Sequence, residues 1–291
     1  MRSKTRLHGM SRAQKVLLYA ALCLLSLPPL LPLAWMVSTS LKTDAQIFPQ
    51  SGAAAAPISI QSLIPSPAQP ENYPAALKTV PFTVYLRNTL LLCAVTVIGA
   101  VLSSAVVAYG FARIEFWGRG ALFMLIISTM ALPGQVTMIP VFSLFRALGW
   151  YGTYLPLMVP AFFAAPFFVF LLTQFYRTLP MELSEAARVD GAGEWTIFSR
   201  VILPLSRPAL ATCALFQFLH AWNDFLGPLL YLNDPIRYTL AYGLQQFTSA
   251  YGGKWSQLMA AASIFTLPII VLFFLAQRTF IEGISTTGGK N

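Results

Sequence analysis

The sequence predicts an all-α polytopic membrane protein with six transmembrane helices, both termini cytoplasmic, and a cytoplasmic helical hairpin between the fourth and fifth spans. Three observations carry this. Of the 291 residues, 56% are hydrophobic and only 10% charged, against roughly 25% charge in a soluble globular domain, and the mean hydropathy is +0.65. Uncharged windows run between Lys15 and Lys42, Arg87 and Arg113, Arg119 and Arg146, Arg146 and Arg177, and Lys254 and Arg278, and a sixth, Pro208 to Asn233, holds one acid, Asp224. Each exceeds the roughly 20 residues that a helix needs to cross the hydrocarbon. Finally, basic residues are unevenly placed: Arg2, Lys4, Arg6, Arg12, Lys15, Arg113, Arg119, Arg177, Arg188, Arg200, Arg207, Arg278 and Lys290 fall on one side. Only Lys42, Lys78, Arg87, Arg146, Arg237 and Lys254 fall on the other. The richer side is cytoplasmic. The net charge of +9 therefore reports topology, with basic flanks meeting anionic headgroups rather than nucleic acid.

Residues 1–15 form a basic cytoplasmic start and 16–41 the first span. This span is too long for a signal-peptide core and lacks a clear small-residue cleavage site, so it is expected to stay. Residues 42–84 form an extracytoplasmic loop whose middle, 49–70, is uncharged and rich in Ala, Pro, Ser and Gln, a composition of extended, poorly ordered chain.

The remaining five spans occupy 85–283, followed by a cytoplasmic tail, 284–291. In the second span, about 86–111, Ala100, Ser104, Ala108 and Ala112 recur every four residues, a small-residue stripe that lets another backbone approach closely in lipid. The third span, about 120–144, contains Pro133, Gly134, Gln135 and Pro140; the fourth, about 153–175, contains Pro156, Pro160 and Pro166. Each proline removes a donor and kinks the helix, and backbone freed at membrane depth must face protein or a water-filled cavity. A translocation path and plain bundle packing both meet that condition.

The fifth span, about 208–231, begins at Ser206 as N-cap with Pro208 in its first turn, and Gln217, His220 and Asp224 fall at i, i+3 and i+7 on one face. Asp224 either points with that face at the bundle interior or caps near the outer interface. Cys23, Cys93 and Cys213 all lie within spans, which leaves no disulfide framework or CxxC metal site.

Between the fourth and fifth spans lies the loop 180–208. Pro180, Glu182 and Glu185 favour a helix start, and Gly191 is placed to end that helix in a left-handed turn. A second helix starts near Gly193 or Glu194, presents Trp195, Phe198, Val201 and Ile202 as an apolar face, and ends at Pro204. Ala186 and Ala187 make a low-relief face suited to a cleft of another protein, with Glu185, Arg188 and Asp190 to fix its register. A helical loop lying on the membrane surface is the other reading.

Glu185-Ala186-Ala187, three residues, Gly191, nine residues, then Val201-Ile202-Leu203-Pro204 resembles the EAA signature of permease subunits in bacterial binding-protein-dependent ABC importers. Val201 stands where that signature usually has Ile, preserving an apolar, β-branched side chain. Ser38-Thr39-Ser40-Leu41-Lys42, Glu71-Asn72-Tyr73, Trp222-Asn223-Asp224-Phe225-Leu226-Gly227-Pro228-Leu229 and the tail from Glu282 to Lys290 are similar to the maltose-transporter-like carbohydrate branch. The proline- and alanine-rich stretch 49–70 looks longer than that branch's usual loop.

The resemblance implies a permease half-channel in the bacterial inner membrane, paired with a second permease and fed by an extracytoplasmic sugar-binding protein. Two ATP-binding cassette subunits would drive it, coupled through Glu185, Ala186, Ala187, Asp190, Gly191, Val201, Leu203 and Pro204. Its cargo would be an oligosaccharide or related carbohydrate, passing Gln135, Gln217, Asn223 and Asp224. The chain itself would bind no cofactor or metal and catalyse nothing: it has no GxxxxGK[ST] loop, HExxH or nucleophile triad, which leaves ATP and Mg to the partner subunits. Alternatives are an importer of a non-sugar solute, an ion-coupled secondary transporter, for which Asp224 is the one intramembrane carboxylate, and an assembly scaffold that docks by its hairpin.

Overall fold

A computed structural model describes residues 11–48, 64–249 and 253–287. These residues are helical with no strand among them. They fall into two units, one within residues 1–80 and 246–266, the other within 81–245 and 267–291.

In the first unit, helix α1 (Arg12–Ser40) starts at a capping box: Gln14 N donates to Ser11 Oγ at 3.2 Å and Ser11 N to Gln14 Oε1 at 2.9 Å. This cap places the start four residues earlier than hydropathy does. The segment after it is not all loop, because short helices α2 (Asp44–Ile47) and α3 (Asn72–Thr79) form there. Residues 49–63 of the anticipated disordered stretch lie outside the described residues. The two polar motifs around it meet: Asn72 Nδ2 donates to the carbonyls of Ser40 at 2.9 Å and Lys42 at 2.8 Å, and the Ser40 and Tyr73 hydroxyls are 2.8 Å apart.

The second unit is built on α4 (Phe82–Arg113), whose stripe of Ala100, Ser104, Ala108 and Ala112 is buried as expected. The third span is not continuous: α5 (Arg119–Thr129) and α6 (Gly134–Ala147) meet at 95°. The turn falls at Pro133, which has no N–H to continue the ladder of α5. The fourth consists of α7 (Leu155–Met158), a 3-10 turn (Val159–Phe163) and α8 (Pro166–Thr178). At its break Ala164 has φ of 62°, and the N–H groups of Ala164 and Ala165 donate to Ser103 Oγ at 3.1 Å and Ser104 Oγ at 2.9 Å. The hydroxyl of Ser104 in the small-residue stripe, and that of its neighbour Ser103, thus satisfy the broken backbone.

After α8 come the hairpin helix α9 (Glu182–Val189), then α10 (Glu194–Ile197), a π-helical turn (Phe198–Ile202) and α11 (Leu203–Leu205). Pro204 does not end this second arm. The wider π turn just before it removes the clash that a proline makes with the carbonyl four residues back, and the chain bends by 79° into α12 (Arg207–Trp222) only at Ser206. Ser206 makes no side-chain cap; its hydroxyl donates to Ile202 O at 2.7 Å. Nor does the fifth span continue to 231. It stops at Trp222, and α13 (Leu226–Tyr231) follows. Pro228 would clash with the carbonyl of Asp224 in a continuous helix, and Asn223 Nδ2 donates to Leu219 O at 2.8 Å instead. After α14 (Leu240–Ser249), α15 (Trp255–Thr287) forms the last long helix and extends past the uncharged window.

Among the described residues, four helices are long and apolar enough to cross a membrane, or up to six if each bent pair counts as one span. Cys93 and Cys213 are buried, whereas Cys23 is exposed.

Candidate functional site

The hairpin is keyed into the second unit by apolar side chains from its second arm. Ile197, Phe198 and Ile202 are buried in one cluster with Tyr109 of α4, Leu172 and Tyr176 of α8, and Cys213 of α12. Trp195, expected on the same face, points outward at 69% exposure. Val201 and Leu203 are half-buried against this cluster, and Pro204 is exposed. The first two therefore serve the hairpin's own packing.

Gly191 has φ of 81°, the left-handed conformation that its position predicts. Ala192 N donates to Ala187 O at 2.9 Å and Gly191 N to Arg188 O at 3.0 Å, the paired bonds of a Schellman stop. The low-relief pair divides: Ala186 is exposed, whereas Ala187 is half-buried against the core cluster. Glu185, Asp190 and Val189 are exposed, the last at 88%. The outward face of the hairpin is therefore apolar at Val189 and Trp195 with carboxylates beside it.

Arg188 also serves the hairpin itself. Its Nε donates to Glu194 Oε1 at 2.9 Å, an ion pair across the hairpin. The other oxygen of Glu194 accepts from the Tyr109 hydroxyl at 2.6 Å. The Arg188 hydrogen bond, then that of Tyr109, holds the Glu194 carboxyl below the usual carboxylate range. One turn beyond Tyr109, the buried Arg113 donates to the carbonyls of Tyr176 at 2.7 Å and Leu179 at 2.8 Å, closing the C-terminal end of α8. Sequence reading missed this arrangement: Arg113 and Arg188 counted only as topology charges and possible docking groups. The available signal was Tyr109 and Arg113 at i, i+4 on one face of α4.

A second site lies further along α4. A cavity of about 310 Å³ is lined by Thr96 and Ala100 of α4, by Leu157, Pro160, Ala161, Ala164 and Ala165 of the broken fourth span, and by Gln217, His220, Ala221, Asp224, Gly227 and Tyr231. Gln217, His220 and Asp224 meet there as their spacing predicts, although α12 ends before Asp224. The carboxylate also caps: Asp224 Oδ1 accepts from Gly227 N at 2.9 Å. A side chain at 227 would collide with the other carboxylate oxygen and with Leu157. Asn223 is exposed and spends its amide on Leu219, and Gln135 is exposed near the start of α6. Neither lines the cavity. No cluster of metal-ligating side chains occurs among the described residues.

Residues 99–286 match the family described as binding-protein-dependent transport system inner membrane component. A probable ABC transporter permease protein of Bacillus subtilis, YurM, is 34% identical over 89% of this chain and 83% of its own length. The arabinooligosaccharides transport system permease protein AraQ of Halalkalibacterium halodurans is 36% identical over 71% of this chain and 74% of its own length. The trehalose/maltose transport system permease protein MalG of Thermococcus litoralis is 30% identical over 94% and 95%. A solved bacterial ABC transporter involved in import of the acidic polysaccharide alginate shares the fold, with TM-score 0.76 over 92% of this chain and 98% of that one at 22% identity.

Proposed function

Because the chain belongs to the family of inner membrane components of binding-protein-dependent transport systems, we propose that it imports a sugar, an oligosaccharide or related carbohydrate. It is the permease subunit of an ABC importer, a transport subunit and not an enzyme, and its place is the inner membrane. The carbohydrate assignment draws on the relatives named for arabinooligosaccharides and trehalose/maltose. Six crossings with both termini cytoplasmic complete the proposed topology.

In this proposal the chain is half of a channel, paired with a second permease, supplied by an extracytoplasmic binding protein and driven by two ATPase subunits that hold ATP and its Mg. The observation that carries the coupling is the hairpin itself. Its inner face is locked to α4 through Glu194, while Ala186, Val189 and Trp195 are left outward. Closure of the ATPase subunits on that face would move α4, and with it the cavity wall at Thr96 and Ala100. Gln217 and Asp224 offer hydrogen-bonding groups to sugar hydroxyls.

Reconstitution tests this reading. With both permeases and the ATPase subunits in proteoliposomes, uptake of a labelled oligosaccharide should require ATP on the cytoplasmic side and the binding protein on the other. Uptake by this chain alone, driven by a proton or sodium gradient, would replace the proposal with a secondary transporter.

A further inference from the structure

We propose that the cavity at Gln217 selects against acidic cargo, admitting neutral or cationic sugars and disfavouring uronic acids, with Asp224 as the discriminating group. This rests on the reading of that cavity as the transport path. Among its described lining residues Asp224 is the one Asp, Glu, Lys or Arg side chain. Pro160, Ala161, Ala164, Ala165 and Leu157 make much of the rest of the lining, and apolar walls lower the local dielectric, so that a fixed charge is felt strongly.

The carboxylate is also held in place. Gly227 N donates to Oδ1 at 2.9 Å, and Leu157 crowds the same glycine. A carboxylate on cargo that contacts this wall would meet that charge at short range. A sphere of the cavity's 310 Å³ is about 8 Å across, comparable to the Debye length at physiological salt. No cationic Lys or Arg among the lining residues would offset the repulsion. His220 is the remaining side chain able to carry positive charge, so the test is repeated in a His220→Gln background.

The test uses the assembled importer with Cys23, Cys93 and Cys213 replaced and cysteine placed at Ala221, on the cavity wall. Labelling rates of a cationic trimethylammonium-ethyl and an anionic sulfonatoethyl methanethiosulfonate are each normalised to their rates with a free thiol in solution. The expected normalised preference for the cation is ~10-fold or more, collapsing toward equality in Asp224→Asn. That substitution removes the charge but keeps an oxygen to accept from Gly227 N. Equal labelling by both reagents overturns charge selection while leaving the path intact, and so does a preference that survives Asp224→Asn. If neither reagent labels in any nucleotide state, the path assignment falls, and charge selection with it. Uptake competition gives a second readout: a neutral oligosaccharide should compete better than its uronate counterpart, and Asp224→Asn should narrow the gap.

Discussion

The Tyr109 hydroxyl donates to Glu194 Oε2 at 2.6 Å, joining the C-terminal end of α4 to the first residue of the hairpin's second arm. Because Glu194 also takes Arg188 at 2.9 Å, one carboxylate ties both hairpin arms to a single long helix. Ala100, on the cavity wall, lies nine residues before Tyr109, about 13 Å along the axis of that helix. Motion of the hairpin thus has a short, continuous route to the cavity.

Tyr109→Phe keeps the ring against Phe198, whose centroid is 5.3 Å away, and deletes only the hydroxyl. We predict continued ATP hydrolysis with less sugar imported per ATP, and a loss of about 1 kcal/mol in stability. Simultaneous measurement of uptake and phosphate release in proteoliposomes checks this. An unchanged ratio would remove Tyr109 from the coupling route.

The clamp has a defined pH window. The Glu194 carboxyl is lowered from its ordinary 4.5, so its contribution is complete above that value and is lost as pH falls through the lower folded value. Hydrogen exchange of hairpin amides, corrected for intrinsic rate, should be flat from about pH 7 to 5 and should rise in more acid solution. Glu194→Gln should loosen the hairpin at neutral pH and flatten the acid response. A rise already complete by pH 6 would point to another group.

At Gly191 the penalty for substitution is conformational rather than steric, because a Cβ there would meet nothing within 4 Å while φ is 81°. Gly191→Asn should therefore retain most uptake, and Gly191→Val should lose much more at equal protein level, since asparagine tolerates the left-handed region and β-branched residues do not. Equal uptake by the two variants would show that the turn does not set the hairpin.

The neighbouring alanines should separate by phenotype. Ala187→Asp buries part of a charge against the core cluster and should lower thermal stability of the chain itself. Ala186→Asp should leave stability unchanged and weaken co-purification of the ATPase subunits. Reversal of the two phenotypes would mean that Ala187, and not Ala186, faces the partner.

Local chemistry made much of this legible. Gly191 could be placed because few residues other than glycine suit a left-handed stop, and Gln217, His220 and Asp224 because helical spacing gathers them. Their shared cavity survives even though α12 ends at Trp222, since Asp224 turns back through Gly227. What escaped depends on distant partners. Glu194 marked only a start for the second arm, and nothing local announces Tyr109, 85 residues away, as its donor. The prolines signalled breaks but not their outcome: Pro133 turns the chain by 95°, whereas a π turn accommodates Pro204. Ser104 read as a small packing residue, yet its hydroxyl and that of Ser103 satisfy the broken backbone at Ala165 and Ala164.

The proposed function makes the cavity at Gln217 a path whose access changes with the state of the ATPase subunits. Cysteine at Gln217, in the assembled importer with its own cysteines replaced, tests it most directly through its labelling by a membrane-impermeant thiol reagent applied to each side in turn. The account predicts labelling from one side without nucleotide and from the other side with ATP trapped. Labelling from the same side at the same rate in both states would contradict it.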